Sequence, residues 1–362
     1  MIDAFAGGVL IISPEAWDAH SVSKHHYAKT LAARGSTVFF LNPPDDFLTE
    51  LQIDVASDFA GVHVVSGPKV AAGLRFYPAF LRRWMEARWL SHFEAVIGRK
   101  INVVWLFENS RFFDLRFATD RLKIYHQVDL NQDFHQAAAA ATSDICFCTT
   151  DLIRRQLLQH TSKVYKIHHG LAINSTGVEP IKQHQEAFSS NKVHAVYIGN
   201  FEMSYLDVDL LSGLARRFNE VQFHFVGGYQ ESGRLRVLTA DCGNIIWWGK
   251  VDSTRIPSFL EFADVLLVTY QAAHFDDQAS PHKFMEYLAS GKVIVATYTD
   301  EYKDKPHLLE MARSSADYYI AFQKVIGNLD RYNSLDRQIE RKEFALAHTY
   351  DIQLDKIIAL LI

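Results

Sequence analysis

The segment 280–297, Ser-Pro-His-Lys-Phe-Met-Glu-Tyr-Leu-Ala-Ser-Gly-Lys-Val-Ile-Val-Ala-Thr, places two charged residues near a predicted helix start. Ser280 is predicted to cap this helix, and Pro281 suits its first position, where a missing N–H costs nothing. Lys283 and Glu286 are three residues apart and share the outward face. A helix N-terminus carries unpaired N–H groups and about half a positive charge, which suits a diphosphate, and Lys283 adds a full charge. Glu286 could accept hydrogen bonds from two ribose hydroxyls, although a surface Lys/Glu pair on an amphipathic helix would give the same pattern.

Strand-like and helix-like segments alternate along the chain in two series, which predicts an α/β fold with two doubly wound parallel sheets. The first series of strands is predicted at Gly8–Ser13, Thr37–Leu41, Val62–Val65, Asn102–Phe107, Leu122–His126, Asp144–Thr149 and Val164–His168. The second is predicted at His194–Gly199, Val221–Val226, Ile245–Trp248, Val265–Thr269 and Val293–Thr297. We interpret the polar segment 174–192 as a linker, and expect domains at 1–175 and 190–340 followed by a helical end at 341–362. The carboxyl ends of both sheets are then expected to meet at a shared cleft, where ligands of such folds bind.

Composition sets the class of protein. The chain has 362 residues, 48% of them apolar and 22% charged, as in globular proteins. Its formal charge of −5 excludes a general basic field for nucleic acid. Three cysteines without a Cys-x-x-Cys spacing indicate neither a disulfide scaffold nor a zinc site. The N-terminus lacks a basic signal-peptide segment, and no stretch reaches the roughly 20 apolar residues of a membrane span. We therefore expect a cytoplasmic protein, attached at most to the inner face of the cytoplasmic membrane.

Two common nucleotide-binding motifs are absent from the sequence. The turn after the first strand, 13–21, contains no glycine, so the Gly-x-Gly-x-x-Gly turn of dinucleotide-binding proteins is missing. Gly227 and Gly228 follow a later strand without the full spacing, and no P-loop occurs. These absences argue against a dehydrogenase and against a P-loop ATPase.

The segment 280–297 resembles the donor-site signature of GT-B glycosyltransferases, P-x-K-x-x-E-Y-L-A-x-G-K-P-V-V-A-T, with Val293 in place of its usual proline. Other blocks resemble the same family in the expected order, and they are Val38–Pro44, His168–Leu171, Val196–Gly199, Asn244–Gly249 and Ala263–Tyr270. The xanthan glucuronosyltransferase looks like one of the closer relatives. The resemblance implies two Rossmann-like domains with an interdomain cleft and a last helix that returns to the first domain.

Carried over residue by residue, the resemblance implies a donor site. Lys283 would contact the diphosphate, Glu286 the ribose, and Tyr270 would lie in the loop facing the sugar. The backbone at Lys250 and Val251 would read the base. The remaining donor-site residues implied by the matching blocks are Gly199, Ser280, Tyr287 and His169.

Two departures from the family pattern concern the mechanism. Gln278 stands where many retaining members carry a glutamate, and the segment 199–205 lacks their Arg/Lys pair. Both departures favour an inverting transfer, which needs a general base to take the proton of the acceptor hydroxyl.

Asp129 is the first candidate for that base. It lies in Ile-Tyr-His-Gln-Val-Asp-Leu-Asn, 124–131, just past a predicted strand, and this block resembles the glucuronosyltransferase block that carries the proposed base. The alternative for Asp129 is the N-cap of a helix that begins near Asn131. His20 and His25 are the alternative bases, because other GT-B enzymes take a histidine from the loop after the first strand.

Three further segments carry charges that could do chemistry. Asp207-Val-Asp209 has the form of a metal-binding D-x-D, but we interpret it as helix-start charge and expect no metal site. Asp276 and Asp277 could touch sugar hydroxyls or lie in a solvated loop. The segment 74–93 interleaves arginines with tryptophan and phenylalanine, which suits peripheral contact with an anionic membrane. Its alternative is an ordinary helix with its aromatic stripe on the sheet.

The resemblance and the residues together predict a glycosyltransferase with a nucleotide-sugar donor, UDP being the expected nucleotide. The expected acceptor is a saccharide or a lipid-linked saccharide of cell-envelope or exopolysaccharide synthesis, and the donor is a co-substrate, with no cofactor required. Two alternatives stay open: a nucleotide-sugar 2-epimerase of the same fold, and an inactive sugar-nucleotide-binding partner subunit.

Overall fold

The computed structural model of the chain describes residues 5–19, 21–130, 134–173, 182–276 and 280–361. The chain divides into two units. Unit 1 comprises Met1–Gly170 and Tyr350–Ile362, and unit 2 comprises Leu171–Thr349.

Unit 1 contains an eight-stranded sheet with the order β3-β4-β2-β1-β5-β6-β7-β8. Its strands are β1 (Gly8–Ile12), β2 (Thr37–Leu41), β3 (Gln52–Val55), β4 (Val62–Ser66), β5 (Ile101–Leu106), β6 (Leu122–Gln127), β7 (Ile145–Cys148) and β8 (Val164–Lys166). All pair in parallel except β3, which runs antiparallel to β4 at the sheet edge. The central strand β1 is buried along its whole length, as its uninterrupted β-branched sequence predicts.

The helices of unit 1 cover this sheet. They are α1 (Ser23–Ala33), α2 (Ala79–Ile97), α3 (Gln136–Thr142) and α4 (Asp151–Leu157). On α2, Leu90 and Phe93 are buried and Trp89 stacks on Phe93, whereas Phe80 and Trp84 are exposed. The helix therefore has both an aromatic stripe on the sheet and an exposed aromatic face.

Unit 2 contains a six-stranded sheet with the order β11-β10-β9-β12-β13-β14. Its strands are β9 (His194–Ile198), β10 (Gln222–Val226), β11 (Ile245–Gly249), β12 (Val265–Val268), β13 (Val293–Thr297) and β14 (Glu310–Ala312), all parallel. Its helices are α5 (Lys182–Ala187), α6 (Val208–Arg217), α7 (Arg234–Leu238), α8 (Ile256–Phe262), α9 (Lys283–Ser290), α10 (Ser315–Ile326), α11 (Leu329–Tyr332) and α12 (Leu335–Leu346).

The order of strands reverses at β9, which has β10 on one side and β12 on the other. The pairing of β9 with β12 involves only Ala195 and Val196, while the pairing with β10 continues to Ile198. The sheet therefore opens beside the end of β9. Such a switch point, at the carboxyl ends of the strands, is where open α/β sheets bind ligands.

The last helix, α13 (Tyr350–Leu361), belongs to unit 1 and packs on α1. The Tyr350 hydroxyl donates to Ser23 Oγ over 3.2 Å. The Arg34 guanidinium at the end of α1 forms ion pairs with Asp351 and Asp355. The last helix of the chain is therefore part of its first unit.

The predicted doubly wound parallel sheets are confirmed, and each predicted strand is present to within two residues at its ends. Two strands were not predicted. β3 is an exposed edge strand, and β14 has only three residues. The predicted linker is helical at α5, and its residues 174–181 lie outside the described part. No helix among the described residues combines the length and apolarity needed to cross a bilayer.

Candidate functional site

Three neighbouring strands of unit 2 end in glycines with positive φ angles. These are Gly199 after β9, Gly227 after β10 and Gly249 at the end of β11, with φ of 156°, 141° and 68°. A Cβ atom on Gly227 would lie 1.9 Å from the carbonyl oxygen of Gly199. Glycine is therefore required where these two backbones approach each other.

Helix α9 begins next to this edge and binds the end of β9 through two side chains. Lys283 Nζ donates a hydrogen bond to the carbonyl oxygen of Ile198 over 2.8 Å. The Ile198 N–H donates to the Tyr287 hydroxyl over 3.0 Å. Because β12 does not pair with Ile198, both backbone groups of that residue are satisfied by α9 instead. The helix thus places an ammonium group at the switch point.

The Lys283 ammonium lies in an aromatic and partly buried environment. It is 4.5 Å from the ring centroid of Tyr197 and 5.4 Å from that of Tyr270. Burial lowers the pKa of Lys283 to about 7, and the nearby Glu286 carboxylate opposes that shift. A Cβ atom on Gly199 would lie 3.1 Å from Lys283 Nζ, so the ammonium sits directly beside that glycine. An anion bound there would stabilise the charged form of Lys283.

Glu286 lies one turn further along α9. Burial raises the pKa of its carboxyl group, and the Lys283 charge partly offsets the rise. Among the described residues, no hydrogen bond is formed by this carboxylate. The arrangement therefore leaves the Glu286 oxygens able to accept hydrogen bonds from a hydroxyl-bearing molecule.

Other predicted donor residues have mainly structural contacts. Tyr270 is 4% exposed and packs edge-on against Tyr205, with ring centroids 5.2 Å apart. Tyr287 is fully buried, and its hydroxyl is occupied by Ile198. The Lys250 side chain is exposed, and Val251 packs against the core of unit 2.

The predicted start of α9 is wrong by two residues. Ser280 is not the N-cap, since His282 occupies that position, although its side chain does not cap the helix. A turn in which the Phe284 N–H donates to the Pro281 carbonyl precedes the helix. Lys283 is consequently the first helical residue, which brings its side chain closer to the helix N-terminus than the sequence suggested.

His169 lies in unit 1, not in the unit that holds Lys283. Its Nδ1 is 2.8 Å from Ser23 Oγ at the start of α1. His169 is 7% exposed. The resemblance of 168–171 to a family block was the only basis for predicting His169 as a donor-site residue. In the structure, its hydrogen bond to Ser23 lies within unit 1.

His25 is a structural residue of α1. Its Nδ1 accepts from the Val22 N–H, and its Nε2 lies 3.1 Å from the Ala16 carbonyl oxygen, to which it donates. Burial lowers the pKa of His25, and its ring packs between Trp17 and Phe40. Because both nitrogens bind backbone groups, His25 has no nitrogen left to accept a proton from a substrate. His20, the other histidine candidate, lies outside the described residues.

Asp129 lies two residues beyond β6, with an exposed side chain. The helix-cap alternative placed a helix start near Asn131, which lies outside the described residues; the next described helix, α3, begins at Gln136 with His135 as its N-cap. Nearby protein atoms displace part of the water around the Asp129 carboxyl group and so raise its pKa, and the charge of Lys24 lowers it. Lys24 is itself almost fully buried and forms an ion pair with Glu15. In the described part of unit 1, the Asp129 carboxylate forms no hydrogen bond, so it is available to accept a proton.

The interpretation of Asp207-Val-Asp209 as helix-start charge is confirmed. Asp207 caps α6 by accepting from the Leu210 N–H over 2.9 Å, and Asp209 pairs with Arg234. Within the described ranges, no three His, Cys, Asp or Glu side chains are grouped to hold a metal ion. Gln278, Asp277 and Asn131 lie outside those ranges, and Asp276 is exposed.

Sequence reasoning missed two parts of this site. From the sequence, Gly227 was compared only with the dinucleotide-binding motif. A glycine directly after a buried strand would also have indicated that another backbone segment approaches closely there. The role of Ile198 could not be predicted, because it depends on where the pairing between β9 and β12 ends.

Two units, each built on a doubly wound parallel sheet, are typical of the GT-B fold. Similarity to solved structures supports this fold. A trehalose-6-phosphate enzyme from E. coli bound with UDP-2-fluoro glucose is similar with a TM-score of 0.67, 10% identity, and 98% of each chain covered. The lipopolysaccharide outer core galactosyltransferase WaaB is similar with a TM-score of 0.65 and 14% identity, over 98% of this chain and 99% of that one.

Sequence comparison finds a family to which part of the chain is similar. Residues 192–323 match the family model described as Glycosyl transferases group 1. The putative teichuronic acid biosynthesis glycosyltransferase TuaH of Bacillus subtilis (strain 168) is 28% identical over 106 residues, which are 28% of this chain and 27% of that relative. The match thus spans about a quarter of that relative's length. The chain has the GT-B fold, and its residues 192–323 are similar to the group 1 glycosyltransferases.

Proposed function

We propose that the protein transfers a sugar from a nucleoside-diphosphate sugar, UDP being the expected nucleotide, to an acceptor hydroxyl with inversion. The observation that carries this proposal is the Lys283 ammonium at the end of β9, beside Gly199 and one helical turn from the Glu286 carboxylate. A cation, exposed backbone at a glycine and a carboxylate acceptor are the groups that a diphosphate and a ribose require.

In this proposal the residues of unit 2 hold the leaving group. Lys283 releases the Ile198 carbonyl and binds the diphosphate, whose negative charge grows as its bond to the anomeric carbon breaks. Glu286 accepts hydrogen bonds from the ribose hydroxyls. The glycines that end β9 and β10 leave the backbone free of side chains at the phosphates.

Asp129 takes the proton from the acceptor hydroxyl as that oxygen attacks the anomeric carbon. One bond, between acceptor oxygen and sugar, forms while the bond between sugar and diphosphate breaks. The raised pKa of Asp129 makes its carboxylate a stronger base than an ordinary aspartate. Activity should therefore fall as the pH drops below that raised pKa.

The acceptor we propose is a saccharide, lipid-linked in cell-envelope or exopolysaccharide synthesis. Support comes from the name of the Bacillus relative, which refers to teichuronic acid biosynthesis. A second support is the exposed aromatic face of unit 1, where Phe76, Phe80 and Trp84 are 78%, 70% and 58% exposed. Arg75 and Arg88 flank these rings, a combination that suits the surface of an anionic membrane.

Nucleotide binding tests the donor site. Lys283→Ala should weaken binding of UDP by about tenfold or more, since a charge-assisted hydrogen bond is worth about 1.5–3 kcal/mol, while binding of uridine changes little. Isothermal titration calorimetry measures both, with Lys324→Ala, an exposed lysine of α10, as the control. Equal losses for UDP and uridine would show that the phosphates bind elsewhere.

Transfer assays test the base. Asp129→Asn should lower kcat by about 10²- to 10⁴-fold, because the amide cannot accept the proton, while UDP still binds as in the wild type. Unchanged turnover in this variant would move the base to His20 or would favour a retaining scheme.

A further inference from the structure

Unit 1 contains a cavity of about 600 Å³ to which the donor-site residues do not contribute. It opens at the carboxyl edge of the sheet, between the loops that follow β2, β4 and β5, and α2 forms one wall. Cavities of this size, mostly apolar with a few polar groups, are typical of small-molecule sites. The apolar lining includes Leu51, Val70, Trp89, Phe112 and Phe113.

The charged groups of the cavity are predominantly positive. Its cations are Lys69, Arg75, Arg82 and Arg111, and its carboxylic acids are Glu86 and Glu108. Burial raises the pKa of Glu86 to about 8, against the opposing charge of Arg82, so Glu86 is mostly uncharged at neutral pH. A cavity with several cations in a chain of net charge −5 is complementary to an anion.

Two buried side chains of the cavity have polar atoms that no described residue binds. Glu86 is 1% exposed, and its Oε2 forms no hydrogen bond within the described ranges. Arg82 is 9% exposed, and its Nε likewise has no partner in that part of the chain. The ion pair between Arg82 and Asp114 is long, at 3.7 Å, whereas Arg116 binds the same carboxylate over 2.7 Å. Buried polar groups normally form hydrogen bonds, so the unbonded Glu86 Oε2 and Arg82 Nε atoms indicate that a ligand binds here.

Arg111 is fixed in place, because its Nη2 donates to the carbonyl oxygens of Ser13 and Asn42. Arg75 is exposed at the rim next to Phe76, where the cavity meets the exposed aromatic face described above. The cations, the apolar walls and an aromatic rim that continues outward fit a molecule with both an anionic and an apolar part.

We propose that this cavity binds an amphiphilic phosphate, an apolar chain that carries a phosphate group. The phosphate binds Arg75 and Arg82, and the chain lies against Trp89 and Phe112. Identifying this ligand as the lipid end of the acceptor rests on the proposed function, whereas its binding to unit 1 does not.

Decyl phosphate below its critical micelle concentration is the probe, and quenching of tryptophan fluorescence, with calorimetry, is the readout. The wild type should bind decyl phosphate at least tenfold more tightly than it binds decanol or inorganic phosphate. Arg75→Ala should weaken binding about tenfold or more, as loss of a charge-assisted hydrogen bond predicts. Arg155→Ala, an exposed arginine of α4 outside the cavity lining and outside the exposed aromatic face, is the control and should change binding less than twofold.

Arg82→Ala should weaken binding at least as much, and thermal unfolding reports whether that variant still folds. Because Arg75 is exposed, its variant gives an answer even if Arg82→Ala does not fold. Equal binding of decanol, equal binding of inorganic phosphate, or an affinity unchanged in Arg75→Ala would overturn the proposal. Binding seen only with micelles, by wild type and variants alike, would overturn it in favour of surface adsorption.

The donor site is measured separately, so the two proposals can fail independently. UDP affinity should be unchanged in Arg75→Ala and Arg82→Ala, and decyl phosphate affinity should be unchanged in Lys283→Ala. Loss of UDP binding with retained decyl phosphate binding would remove only the proposed function.

Discussion

Lys283 is the residue on which the proposed donor site depends, and its lowered pKa predicts that donor binding is sensitive to pH. With a pKa of about 7, the free ammonium is already partly deprotonated at neutral pH. A bound diphosphate raises that pKa, so binding takes up a proton above pH 7. We expect the affinity for UDP-glucose, whose diphosphate does not titrate in this range, to fall between pH 7 and pH 9.

The matched variant is Lys283→Arg. Guanidinium stays protonated throughout this range, so any affinity that the variant retains should be independent of pH. Titration calorimetry in buffers of different ionisation enthalpy would also count the proton taken up. An affinity of the wild type that is constant from pH 7 to pH 9 would mean that Lys283 does not meet the phosphates.

Single residues were also where prediction from sequence was weakest. The placement of Lys283 and Glu286 on one helix could be predicted because their spacing is a local property. His25 could not be judged in this way, since its partners at Ala16 and Val22 depend on how the loop before α1 folds back. Tyr287 was assigned to the donor, but its contact with Ile198 lies 89 positions away in sequence and is invisible to local reasoning.

At the scale of elements, the proposed donor site requires that the ends of β9 and β10 lie close together, so that phosphates can contact their backbone. Gly227→Ala would place a Cβ 1.9 Å from the Gly199 carbonyl oxygen at a φ of 141°. Such strain costs about 1–3 kcal/mol, so we expect the free energy of unfolding to fall by that amount. The affinity for UDP should fall as well, because Gly199 must move.

Gly228→Ala is the control for this prediction, since no atom of the described residues lies within 4 Å of the position that its Cβ would take. Its effect on stability should stay within about 0.5 kcal/mol. Urea unfolding measures the stability of both variants, and titration with UDP measures their affinity. Similar values for the two alanine variants would show that the strand ends tolerate side chains.

Strands could be predicted where a run of apolar residues in the local sequence indicates that the strand is buried. The strands at Gly8–Ile12 and Val293–Thr297 consist of nearly uninterrupted apolar residues, because both faces of a parallel strand are covered. The strand Gln52–Val55 was missed because it is an exposed edge with only partial burial. The start of α9 was misplaced because Ser280-Pro281 has the pattern of a helix start, whereas the chain makes a turn there first.

At the scale of the molecule, net charge and local charge give different conclusions. A formal charge of −5 correctly describes the whole chain and says nothing about the cavity of unit 1. Arg75 and Arg82 were noticed as part of one segment, but Lys69 and Arg111 join them only through the fold. A positive cavity assembled from several loops is therefore a property of topology, and no window along the sequence displays it.

The return of the chain into unit 1 makes stability and donor binding separable. Leu354 of α13 is fully buried in unit 1, whereas Lys283 and Glu286 belong to unit 2. Leu354→Ala should lower the free energy of unfolding by about 2–5 kcal/mol, as expected for a leucine deleted from a core. UDP affinity, measured well below the unfolding transition, should remain that of the wild type. Leu360→Ala, at a site that is 37% exposed, is the control and should cost far less stability. A comparable loss in both variants, or a loss of UDP affinity in Leu354→Ala, would show that the last helix does not act as a core element of unit 1 alone.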